Sequence, residues 1–107
     1  MAEEASEGPP ADPERQLPAG LVTGRITPTF TAQSVPAALR RAHHTTVWAE
    51  LVVQAGSVDF VEEDTGWHTT VTAGHRQVIV PNRRHHIEPS EDATFAVQFY
   101  DTPDQTP

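Results

Sequence analysis

Along residues 46–53 the apolar side chains Val47, Ala49, Leu51 and Val53 alternate with Thr46, Trp48, Glu50 and Val52. A period of two lays each set on one face of an extended strand, whereas a helix needs its apolar residues three and four apart. No stretch of the chain sustains the helical period. It carries instead short β-type runs, over residues 21–26, 29–32, 57–61, 67–72, 76–80, 85–88 and 94–100, cut by Gly, Pro, Asn, Asp and Ser. Seven or eight short strands with turn signals roughly every eight to twelve residues predict an all-β sandwich or barrel. The tight Gln54-Ala55-Gly56-Ser57 link predicts an antiparallel hairpin between the strands it joins. Residues 35–40 fit either one turn of helix or an extended bend.

A chain of 107 residues has room for one domain and one modest core. Its ends look different from its body. Residues 1–15 hold Glu3, Glu4, Glu7, Asp12 and Glu14 against Arg15, with prolines at 9, 10 and 13, so residues 1–16 are expected to form a disordered acidic tail. Residues 17–100 are expected to form the folded domain, and residues 101–107 a short polar tail. Half of the net charge of −8 lies in the first segment, and the body has no basic stripe to neutralise phosphates. Nucleic acid is therefore not an expected partner. With no cysteine, neither disulfides nor thiolate metal sites are available. No apolar run approaches the roughly 20 residues that cross a bilayer, and no basic segment precedes an apolar one near the start. A soluble, cytoplasmic protein without a membrane partner is the expectation.

Two histidine pairs stand out, His43-His44 and His85-His86. If the strand phase extends back from Leu51, His43 joins the inward set and His44 does not. His85 shares a face with Ile87, and His86 with Glu88, so His85 is expected to point inward. Two imidazoles meeting inside a β-fold suit Zn, Fe, Ni or Cu. A stable site wants a third protein donor, and the candidates are His75 and Gln77, on one face of the strand before Pro81, or Glu50 if a bulge turns it. The other reading is a pair of hydrogen-bonded histidines lining a metal-free pocket with Val47, Leu51, Val53, Ile79, Phe95, Val97 and Phe99. His68, after an acidic turn, is expected on the surface. Trp48, Trp67 and Phe30 suit either a dimer interface or the core.

Ala37, His43, Thr45, Ala49 and Gly56 match the first cupin motif, G(X)5HXH(X)3–4E(X)6G, in register, and Gly74 to His86 loosely follow the second. The ordered set Leu17-Pro18, Thr27-Pro28-Thr29-Phe30-Thr31, Val35-Pro36-Ala37, His43-His44-Thr45, Trp48 to Leu51, Gly56, Pro81 to Ile87 and Phe95 to Tyr100 resembles the TehB/YeaR-like small cupins. That group includes N-terminal domains of tellurite-resistance methyltransferases. The resemblance covers residues 17–100. It implies a cupin-type double-stranded β-helix, a jelly-roll barrel of short antiparallel strands, with His43 and His85 at the family's histidine positions. Thr45 and Ala49 stand where general cupins carry a histidine and a glutamate, which thins the donor set. His85 is preferred over His86, although His86 fits the general spacing after Pro81. The methyltransferase activity is not expected to carry over, because a single domain is expected here and none for a methyl donor.

The expected function is a small cupin in a tellurite- or nitrosative-type stress context. It would bind a divalent metal through His43 and His85, together with a small molecule or oxyanion. Arg41, Arg83, Arg84 and Thr45 are candidate ligand contacts, the arginines through charge-assisted hydrogen bonds or else as surface charges alone. The alternatives are a metal-free binding or sensor module and a barrel that pairs as a homodimer.

Overall fold

Eight strands form in the computed structural model, which describes residues 13–103, and they make two separate antiparallel sheets rather than one closed barrel. They are β1 (Val22–Ile26), β2 (Phe30–Thr31), β3 (Ala49–Ala55), β4 (Ser57–Glu62), β5 (His68–Thr72), β6 (Arg76–Ile79), β7 (His85–Pro89) and β8 (Thr94–Asp101). The larger sheet runs β1-β8-β3-β6, with β2 also paired to β8; the smaller runs β5-β4-β7. Helical structure among the described residues is confined to two 3-10 turns, Pro13–Arg15 and Ala37–Arg40. The second resolves the ambiguity of residues 35–40.

The alternation of β-branched and aromatic residues becomes the core directly. In the larger sheet Ala49, Leu51 and Val53 of β3 stand opposite Phe99, Val97 and Phe95 of β8, and Ala49 also stands opposite Ile79 of β6. From the smaller sheet Val58 and Phe60 of β4 pair with Val71 and Ile87 on their flanks. These two inner faces close on each other, burying Leu51, Val53, Val58, Phe60 and Phe95 almost completely. At roughly 1.5–3 kcal/mol for each large apolar side chain, this layer is the main source of stability.

Two local expectations fail. β3 and β4 do not pair as a hairpin: Gly56, at φ +65°, passes the chain from one sheet to the other, and its carbonyl accepts from Ala73 N–H instead. A two-residue hairpin turn needs two central residues of matching twist, and here one left-handed glycine separates the strands. The strand also begins at Ala49, not Thr46, so Val47 lies 41% exposed, outside the core. Thr45 Oγ1 donates to the Val47 carbonyl, which curls this segment into a turn.

Of the expected N-terminal tail, residues 1–12 lie outside the described residues. Glu14 and Arg15 do not hang free: Arg15 lays its guanidinium over the Trp67 ring, 4.0 Å from its centre, and bonds both oxygens of Glu62. Asp101 closes β8, and residues 104–107 lie outside the described residues. Among the described residues no helix is long and apolar enough to cross a membrane.

Candidate functional site

Between the sheets lies a cavity of about 230 Å³. Leu51 of β3, Ile79 of β6, Ile87 of β7, and Val97 and Phe99 of β8 line it, because these are inward positions of alternating strands. Phe30 and the Ala37–Arg40 turn, through Ala38 and Leu39, cover one side. The wall is almost wholly apolar. Its polar groups are His43, His85, Thr27, Thr45 and Arg25. Of the other side chains expected to line it, Val53 and Phe95 are buried in the core beyond the cavity, and Val47 lies outside it, bordering the outer vestibule.

The histidines meet through an isolated antiparallel bridge between the loop before β3 and the start of β7. Their rings lie 4.5 Å apart, edge to face, and the His85 ring also packs 5.3 Å from Phe60. His85 is 3% exposed. Burial, and secondarily the neighbouring His43, push its pKa down to about 4, against weaker upward pulls from the Arg83 carbonyl and Glu62. It is therefore neutral at pH 7. Since a carbonyl only accepts, His85 Nδ1–H donates to Arg83 O at 3.1 Å, which leaves Nε2 with the lone pair. His43 Nδ1 is buried with no hydrogen-bond partner, a condition that normally costs free energy.

The remaining candidates lie elsewhere. His75 sits in the turn before β6, hydrogen-bonded to Thr72 Oγ1, and Gln77 bonds the Val78 carbonyl; neither lines the cavity. Glu50 accepts from Tyr100 Oη and Arg76, diagonal neighbours on the adjacent strands at the outer face of the larger sheet. Arg83 is held by Glu62 and Glu14, and Arg84 by Asp64. Arg41 is exposed and outside the cavity lining. Thr45 lines the cavity, with its hydroxyl committed to Val47 O. His86 bonds Glu63 and Glu88 outside the pocket, and His68 is exposed.

Sequence reasoning missed two features. Arg25 reaches the cavity mouth from β1, stacked on Phe99 at 4.3 Å; an isolated arginine in a short strand carries no signal of this. Glu62, 1% exposed, gathers Arg15, Arg83 and Thr65 beside His85, its register partner. Glutamate at an inward strand position was the available clue.

A resident metal centre would draw on the imidazoles of His43 and His85. Two imidazoles are short of the three protein donors such a centre usually takes. Among the described residues there is no group of three His, Cys, Asp or Glu side chains able to hold an ion.

The fold and the cavity define a small two-sheet β-domain with an apolar pocket between its sheets. The TehB-like domain profile matches residues 25–97, and the chain belongs to that family. Two solved structures share the fold. One is a protein from E. coli strain K12, a structural-genomics target, with TM-score 0.80 and 24% identity over 86% of this chain and 92% of that one. The other is TehB from Haemophilus influenzae, with TM-score 0.70 and 24% identity over 78% of this chain but 32% of that one. At this identity the likeness speaks to fold alone. Comparison with curated protein sequences gives no match.

Proposed function

We propose that this chain is a cupin-type binding domain that holds a small, largely apolar organic molecule between its sheets, with His43 and His85 as neutral polar contacts. The observation that carries this is the apolar cavity of about 230 Å³ between the sheets, with two paired imidazoles in its wall. Apolar pockets with a few placed polar groups are the usual form of small-molecule sites. A strongly hydrated oxyanion suits it less. His85 offers no positive charge at neutral pH, and an anion stripped of water needs several donors in return. The stress context implied by the family resemblance bears on where such a molecule would arise.

Fragment binding monitored by NMR on labelled protein tests this. Small aromatic compounds should shift signals of Leu51, Ile79 and Val97, and filling the cavity by Ile79→Phe should abolish the shifts while the fold is retained. Shifts confined to surface residues, or unchanged in the filled variant, would refute a binding role for this cavity.

A second reading is favoured by the unpartnered Nδ1 of His43. In it the two imidazoles give partial coordination to a divalent ion, Zn, Fe, Ni or Cu, and the small molecule or water completes the set. Elemental analysis of untagged protein, with and without a bound fragment, addresses it. Metal retained by the parent and lost in both His43→Ala and His85→Ala would support it; metal retained in either variant would count against it.

A further inference from the structure

We infer, resting on the binding role proposed above, that the occupant is a monocarboxylate with a compact apolar body. The body fills the cavity and the carboxylate meets Arg25 at its mouth. Arg15, Arg76, Arg83 and Arg84 each sit on a carboxylate of this chain, namely Glu62, Glu50, Glu62 with Glu14, and Asp64. Arg25 does not: among the described residues its guanidinium meets the face of Phe99 and makes no hydrogen bond or ion pair. Stacking occupies the flat face of a guanidinium and leaves its in-plane N–H groups free, the ones that grip a carboxylate in a two-pronged bond. Arg25 also borders both the cavity and the outer vestibule, so its charge sits where an occupant's polar end emerges.

The other hydroxyls of the wall are already used. Thr27 Oγ1 donates to Pro28 O and accepts from Val97 N–H, and Thr45 Oγ1 donates to Val47 O. A single free cation at the rim among the described residues, above an apolar wall, therefore favours one carboxylate over a polyanion. Asp101 reinforces this limit, since it lines the vestibule beside Arg25 and repels further negative charge. Size narrows the class again. An apolar cavity of about 150 Å³ takes benzene, so about 230 Å³ takes one ring or a short branched chain with a small substituent.

Calorimetric titration with benzoate and with benzyl alcohol, a neutral molecule of similar size, tests this on the parent, Arg25→Gln and Asp101→Asn. Benzoate should bind the parent about tenfold tighter than benzyl alcohol, the difference expected of one charge-assisted contact. Arg25→Gln should remove that preference, and Asp101→Asn should tighten benzoate alone. Equal affinities in the parent, or a preference that survives Arg25→Gln, would overturn the carboxylate assignment and leave the apolar pocket intact. If neither compound binds at millimolar concentration, the carboxylate assignment and the binding role fall together.

Discussion

His43 and His85 exchange both backbone hydrogen bonds, His43 N–H to His85 O at 3.0 Å and His85 N–H to His43 O at 2.7 Å, and this bridge aligns their rings in the cavity wall. The loop before β3 is thereby tied to the opposite sheet. Strand phase alone does not place His43, because the chain curls at Thr45 to Val47 before β3 begins.

Burial of neutral His85 makes stability depend on pH. Its folded pKa of about 4 lies below the ordinary value of 6.5, so between these the unfolded chain binds more protons. Stability from this group is complete above pH 6.5 and lost progressively as pH falls toward 4, by at most about 3 kcal/mol. Denaturant unfolding at stepped pH, beside NMR titration of the imidazole, should show that slope and a neutral ring at pH 5. A ring that titrates near 6.5 would disprove it.

Glu62 should be the most sensitive charged position. Burial pushes its carboxyl pKa up, but hydrogen bonds from Arg15 and Thr65 and the charges of Arg15 and Arg83 outweigh that and hold it low. Its contribution is present above the ordinary carboxylate range and lost as pH falls through the lowered value. Glu62→Ala removes the carboxylate that Arg15 and Arg83 share, and breaking a buried pair in this way costs about 3–5 kcal/mol. Glu62→Gln, which keeps the volume and Thr65's partner, should cost less. Equal and small losses in both variants would show that the cluster contributes little.

Phe60 links the core to the pocket, with its ring 5.3 Å from His85 and 6.4 Å from Trp67. Phe60→Ala should destabilise the domain by about 3–5 kcal/mol. The same change lets water reach His85, so the His85 pKa should rise toward 6.5. Phe60→Leu should do less of both. An unchanged His85 titration in Phe60→Ala would show that this ring is not what keeps the imidazole dry.

Gly56 and Gly74 both have positive φ, yet substitution should separate them. A Cβ at Gly56 would stand 2.6 Å from Asp92 Oδ1 and 2.8 Å from the Ala93 backbone, whereas at Gly74 it meets open space. Gly74→Ala should cost only the left-handed penalty of about 1–2 kcal/mol. Gly56→Ala must also move backbone at the crossing between sheets, so its melting temperature should fall further. The reverse order would contradict the packing at this crossing.

Much of the core was legible in the chain, because alternation is a local property. Leu51, Val53, Val58, Phe60 and Phe95 announce their faces through neighbours two residues away, and all are buried. His85 shows its direction in the same way, through Ile87. Partnership is not local. Tertiary structure alone decided that Gly56 sends β3 and β4 into different sheets, that Arg15 finds Glu62 across 47 residues, and that Arg25 rather than Arg83 or Arg84 stands at the cavity mouth. Which strand lies beside which, and which charge meets which, follows from the packing of the whole chain. Residue spacing within one strand carries no record of that choice.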